Sequence, residues 1–111
     1  MPLVNDIRSK ASTETRTISC DYTAKLDVGE SLTGTPTIAE VTTTDLTISG
    51  AQLNSGSLTI NNETVAASKA VQCQVAGGTS GSTYSIKITV STDATSPGAQ
   101  TFVDTIKLEV L

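Results

Sequence analysis

The chain has no histidine and no tryptophan, and its 111 residues include one phenylalanine, two tyrosines, two cysteines and three prolines. Each shortage excludes something. Without His, a Ser or Cys nucleophile has no imidazole to take its proton. None of the five lysines (Lys10, Lys25, Lys69, Lys87, Lys107) follows a Ser by three positions, so the Ser-x-x-Lys dyad is absent as well. Gly77-Gly78-Thr79-Ser80-Gly81 imitates a nucleophile elbow, but that motif needs a strand-to-helix turn and a His partner. Two isolated cysteines cannot form a zinc cluster, and no Asp-x-Asp-x-Asp-Gly calcium loop or Gly-x-x-x-x-Gly-Lys phosphate loop occurs. No catalytic residue, metal or cofactor is expected. Sugar-binding sites usually carry aromatic platforms, and three rings are few for that.

Basic residues are scarce too. Seven Lys and Arg stand against eleven Asp and Glu, a net charge of −4, and they are scattered rather than gathered in a stripe. Nucleic acid is therefore not an expected partner. No run approaches the roughly 20 apolar residues of a membrane helix. Met1-Pro2-Leu3-Val4-Asn5-Asp6 lacks the basic-then-apolar pattern of a signal peptide.

What the chain does have is hydroxyl: 33 of its residues are Ser or Thr. Its hydrophobic pattern has period two. Tyr84, Ile86, Ile88 and Val90 alternate with Ser85, Lys87, Thr89 and Ser91. Ile18, Cys20, Tyr22, Ala24 and Leu26 form one face of a strand predicted over 16–26. Val71, Cys73 and Val75 form another, and Phe102, Ile106, Leu108 and Val110 a third, interrupted by Asp104. Shorter runs occur at 46–48 and 58–60, and a less regular one at 35–43. Gly29-Glu30, Gly34, Ser49-Gly50, Asn54-Ser55-Gly56, Asn61-Asn62, Gly77-Gly78 and Ser96-Pro97-Gly98 supply turns at short intervals. No segment carries a helical repeat beyond a single turn at 66–70.

This pattern predicts an all-β chain, an immunoglobulin-like antiparallel β-sandwich of about seven strands. It divides into an N-terminal segment (1–14) and a sandwich domain (15–111). The N-terminal segment reads either as strand A or as an arm that docks through Leu3, Val4 and Ile7. Only three aromatics serve the core, so the packing must come from Val, Ile, Leu and Ala. A thin core and a need for neighbours follow. Gly77, Gly81 and Tyr84, leading into Ile86 and Ile88, match a tyrosine corner, in which the hydroxyl bonds back to the backbone; Tyr84 reads equally as the first inward residue of its strand. Cys20 falls on strand B and Cys73 on strand E of one sheet, and two reduced, packed thiols are expected. Asp21, Asp27 and Glu30 read as a solvated face. Asn62-Glu63-Thr64 is a chance sequon.

Two segments carry a resemblance. Asp21-Tyr22-Thr23-Ala24-Lys25-Leu26, Gly29-Glu30-Ser31-Leu32 and Pro36-Thr37-Ile38-Ala39 in the front half, with Ala76-Gly77-Gly78-Thr79-Ser80-Gly81-Ser82-Thr83-Tyr84 and Ile86-Lys87-Ile88-Thr89-Val90-Ser91-Thr92 in the back half, resemble the tailed-phage fiber-tail adaptor family. The similarity covers residues 16–110. The tryptophans that family often carries are replaced here by Lys25-Leu26 and Ala39-Glu40-Val41. The resemblance implies a non-enzymatic virion structural protein that links tail or neck proteins to fibers and repeats as a ring. Its partners would be other virion proteins. A capsid decoration subunit and an immunoglobulin-like glycan-binding module are the alternatives. Interfaces are expected on loops and edge strands. Asn54, Gly78, Thr79 and Pro97, with the N-terminal Leu3, Val4 and Ile7, are the candidate contacts.

Overall fold

A computed structural model describes residues 9–94 and 97–111, together with the backbone of Val4–Asn5. These residues hold ten strands: β1 (Val4–Asn5), β2 (Ser9–Lys10), β3 (Arg16–Asp21), β4 (Leu32–Val41), β5 (Leu46–Leu53), β6 (Leu58–Ile60), β7 (Glu63–Val65), β8 (Ala70–Gly77), β9 (Thr83–Thr92) and β10 (Thr101–Val110). One sheet has the order β1-β3-β8-β5 and the other β2-β10-β9-β4; β6 and β7 form a separate hairpin. With β1 and β2 as two halves of strand A, these orders correspond to the A-B-E-D and G-F-C sheets of an immunoglobulin-type sandwich. All pairings are antiparallel except β2 with β10, which run parallel. The N-terminal segment thus pairs with both sheets: Val4 faces Asp21 on β3, and Lys10 faces Val110 on β10.

The alternation seen in the sequence sets the core. On β9, Tyr84, Ile86, Ile88, Val90 and Thr92 are buried, and every second residue is at least partly exposed. Ile106 lies opposite Ile86, and Leu108 opposite Tyr84. From the other sheet come Ile18, Cys20, Val71, Cys73 and Val75, and the whole forms one cluster with Leu32 and Tyr22. Branched aliphatics dominate it, as a core short of rings requires.

β3 is shorter than predicted. It ends at Asp21, whose carboxylate accepts the Thr23 N–H at 2.9 Å. That Asx-type bond turns the chain into a single 3-10 turn, Thr23–Lys25. Ala24 is consequently exposed, and the period-two row stops at Tyr22. β7 is an addition to the expected strands. It pairs with β6 through Asn61 and Asn62, both at positive φ (49° and 66°), as a tight two-residue hairpin requires. The hairpin has a second small core of its own, in which Ile60 and Val65 close on Ala70 with Leu58 at the margin. Ala70 alternates with Val71, so it points away from the main core, and the hairpin packs on the outer side of the first sheet.

Candidate functional site at the two loop ends

The connections gather at two opposite ends of the sandwich. At one end lie residues 22–31 between β3 and β4, 54–69 between β5 and β8, and 93–94 with 97–100 between β9 and β10. Backbone bonds tie them together: Leu32 N–H donates to the Ser68 carbonyl, Tyr22 N–H to the Lys69 carbonyl, and Asp93 N–H to the Ser31 carbonyl, each at 2.9 Å. Ser31 N–H returns a bond to the Asp93 carboxylate at 2.8 Å.

The apex of this end is the turn Asp27-Val28-Gly29-Glu30. Glu30 N–H donates to the Asp27 carbonyl at 3.0 Å. In return the Glu30 carboxylate accepts Asp27 N–H at 2.9 Å. Gln100 Nε2 reaches both acids, 3.2 Å from Asp27 Oδ2 and 3.1 Å from Glu30 Oε2. The Lys69 ammonium donates to the Glu30 carbonyl. Glu30 is therefore buried, which corrects its expected place on a solvated face; the sequence shows no local sign of a partner seventy positions away. Val28, by contrast, stands fully exposed on the tip of a turn held from both sides.

The Asp27 backbone bond, then Thr92, Gln100 and Lys69, hold the Glu30 carboxyl below its ordinary 4.5 against the opposing effect of burial. A depressed folded-state pKa gives stability that is complete above pH 4.5 and lost as pH falls through the lowered value. Glu30→Gln should unfold at a lower temperature than wild type at pH 7, with the gap closing below pH 4.5. Thermal melts from pH 7 down to pH 3 read this directly. A gap that stays constant with pH would show that the charge is not what matters.

Asn54, a candidate contact, is buried instead. Its amide nitrogen donates to the Gly56 and Ala66 carbonyls at 2.9 and 2.8 Å, and its oxygen accepts Lys69 and Ala70 N–H at 3.2 and 3.0 Å. With every bond directed at the backbone, it fastens the 54–69 segment and has nothing left for a partner. Asn54→Ala removes four bonds to the backbone, including the partner of the buried Ala70 N–H, and should cost about 2–3 kcal/mol in urea unfolding. A loss under about 0.5 kcal/mol would mean the segment holds its shape without the amide.

The opposite end carries the connections after Lys10, after Val41 and after Gly77. Tyr84 is buried there, and its hydroxyl accepts Thr79 N–H at 2.8 Å and donates to Asp45 Oδ2 at 2.9 Å. This is the back-bonding geometry of a tyrosine corner, extended to a second loop. Gly81 N–H donates to the Val110 carbonyl at 2.7 Å. Lys10 is also buried, with its ammonium donating to the Ala11 and Glu14 carbonyls at 2.7 and 2.9 Å.

Asp104, the interruption in the β10 pattern, has a tertiary reason. It accepts both bonds of the Lys25 ammonium, at 2.6 and 2.8 Å. That ammonium lies 4.9 Å from the Phe102 ring centre and 5.7 Å from that of Tyr22, and the two rings stack at 5.9 Å. Burial, then the neighbouring Asp104 charge, pushes the Tyr22 hydroxyl well above the usual phenol range.

The candidate contacts are therefore divided. Thr79 and Pro97 are exposed, but at opposite ends. Gly78 is half-buried behind Tyr84. Leu3 and Ile7 lie outside the described residues, as does the side chain of Val4. Cys20 and Cys73 are buried and not joined by a disulfide. Cys20 faces Val71 while Cys73 faces Ile18, so the pair is diagonal. That diagonal spacing is about 7–8 Å, longer than a disulfide normally spans. Among the described residues no group of three metal-ligating side chains converges, and no helix is long and apolar enough to cross a membrane.

Residues 10–108 match the family described as podophage GP4 fiber-tail adaptor protein gp77. The chain belongs to this family. The match runs from β2 into β10 and so touches every strand of the sandwich except β1. No curated protein and no solved structure matches the chain. The fiber-tail adaptor family is structural in role.

Proposed function

We propose that this adaptor is a non-enzymatic virion component that joins tail proteins to fibers in a podophage. The observation that carries the reading is the family match across nearly the full chain. The architecture supports it. Two separate loop ends lie at opposite poles of a body 45 Å long, which suits a part that touches one neighbour with each end. Thr79 belongs to one contact and Pro97, with Val28, to the other. All three aromatic side chains, Tyr22, Tyr84 and Phe102, pack into the core, so none is left as a platform for sugar.

Cryo-electron microscopy of purified particles should place the chain between tail and fiber. Particles grown without it should carry tails but shed their fibers. Density on the capsid faces instead would make it a decoration subunit and overturn the reading.

A further inference from the structure

We infer that the end of the sandwich carrying Val28 is a docking surface that seats Val28 in an apolar socket, rimmed by basic side chains, on a neighbouring virion protein. This rests on the adaptor reading above and adds to it the chemistry of one of the two contacts. The two ends differ in what they expose. On the three connections tied together at the Val28 end, Ala24, Val28, Ala66, Ala67, Pro97 and Ala99 are exposed. The opposite end exposes Thr13, Thr15, Thr43, Thr44, Thr79 and Ser80, with Leu111 as its large apolar exception. A lone exposed apolar side chain is ordinary on a protein surface. Six of them on three connections fastened to one another give one pole an apolar character that the other lacks. Val28 is its most prominent member, at 108% relative exposure.

The turn beneath Val28 is fixed before any partner arrives. Asp27 and Glu30 bond each other in both directions, and Gln100 and Lys69 hold Glu30 from the two neighbouring connections. A projecting side chain on a turn already ordered gives up little conformational freedom on binding. Charge selects the occupant. Asp27 and Asp93 are exposed, and among the described residues their carboxylates accept only neutral donors, the Gln100 amide at 3.2 Å and Ser31 N–H at 2.8 Å. Both lysines of this end are engaged, Lys25 with the Asp104 carboxylate and Lys69 with the Glu30 carbonyl. The rim around Val28 is therefore acidic, and the complementary partner is basic around its socket. A second copy of this chain fits poorly. It carries a net charge of −4, and its pocket across β3, β8 and β5 is lined by uncharged side chains, among them Thr17, Gln52, Gln72 and Gln74.

The test is particle assembly in host cells that supply the chain only in variant form, with chain and fiber copies per purified particle read by quantitative gel electrophoresis. Val28→Asp and Asp27→Lys should each lower these copies at least about tenfold. Chain and fibers fall together if the socket is on the tail, and fibers alone if it is on the fiber. Val28→Leu keeps the apolar anchor and should assemble as wild type does. Because the Val28 side chain is fully exposed, Val28→Asp should melt as wild type by circular dichroism, so its loss reports docking rather than folding. Asp93→Lys repeats the charge test if Asp27→Lys melts lower. Wild-type copies with a folded charged variant, or a loss with Val28→Leu equal to that with Val28→Asp, would overturn the assignment. So would a purified wild type that sediments as an oligomer dispersed by Val28→Asp, since the occupant is then a second copy. Wild-type chain located on the capsid faces and released from them by Val28→Asp would instead overturn the adaptor reading and leave this surface standing.

Discussion

Ile86→Asp is expected to leave the chain unfolded at 25 °C. Ile86 is completely buried in the middle of β9, between β4 and β10, and faces Ile106. The substitution removes about 2–3 kcal/mol of apolar burial and forces a carboxylate into a site with no cation opposite it. The sum exceeds about 5 kcal/mol, against a total stability of about 5–15 kcal/mol for a domain. A core built with three aromatics belongs at the low end of that range. Lys87→Asp is the control: one position along, on the exposed face, it should change stability by less than about 1 kcal/mol. Circular dichroism melts of the two variants separate a loss caused by burial from one caused merely by adding charge. A cooperative, wild-type melt for Ile86→Asp would refute the inward assignment of that whole row.

Gly78→Glu should cost nearly as much, through space rather than charge. The residue sits at φ +95°, and a Cβ there would lie 2.8 Å from Val110 Cγ2, 3.1 Å from Leu46 Cδ2 and 3.3 Å from Tyr84 Cε2. Three elements would have to move apart, including the ring that holds the corner, and Gly78 N–H would strain its 3.2 Å bond to the Asp45 carbonyl. We expect a loss of about 3–4 kcal/mol or more. Gly81 isolates the backbone contribution, since it has a similar φ of +88° but open space around it. Gly81→Ala should therefore lose only about 1–2 kcal/mol. Urea unfolding that ranked the two variants equally would show that the contact with Val110, Leu46 and Tyr84 is not limiting.

These two positions were already legible in the sequence. Ile86 stands in an unbroken alternation, and alternation maps directly onto the two faces of a strand. Paired glycines before a strand-initiating tyrosine declare a turn with unusual dihedral angles. The same reasoning found β5, β6, β8, β9 and β10, and with them the sandwich, because period two is a local property that needs no knowledge of partners.

The adaptor's ends were less legible. Asn54-Ser55-Gly56 announces a loop, and loops suggest contact surfaces, yet Asn54 faces inward because four backbone groups from three stretches of chain converge on its amide. Glu30 looked like one more solvated acid until Gln100 and Lys69 were brought beside it. Asp104 looked like a flaw in a strand until Lys25 came to rest over Phe102 against it. Residues 16–26 promised a longer strand, and a single bond from the Asp21 side chain ended it.

Composition and spacing by themselves determined that the chain is all-β, that it has no histidine, and which side of each regular strand is apolar. Only the tertiary structure decided which loops share an end and which polar side chains are consumed in holding them. The first set depends on neighbours along the chain, within reach of a few residues. The second depends on hydrogen bonds and ion pairs between segments as much as seventy-nine positions apart, and no pattern along the sequence encodes those meetings.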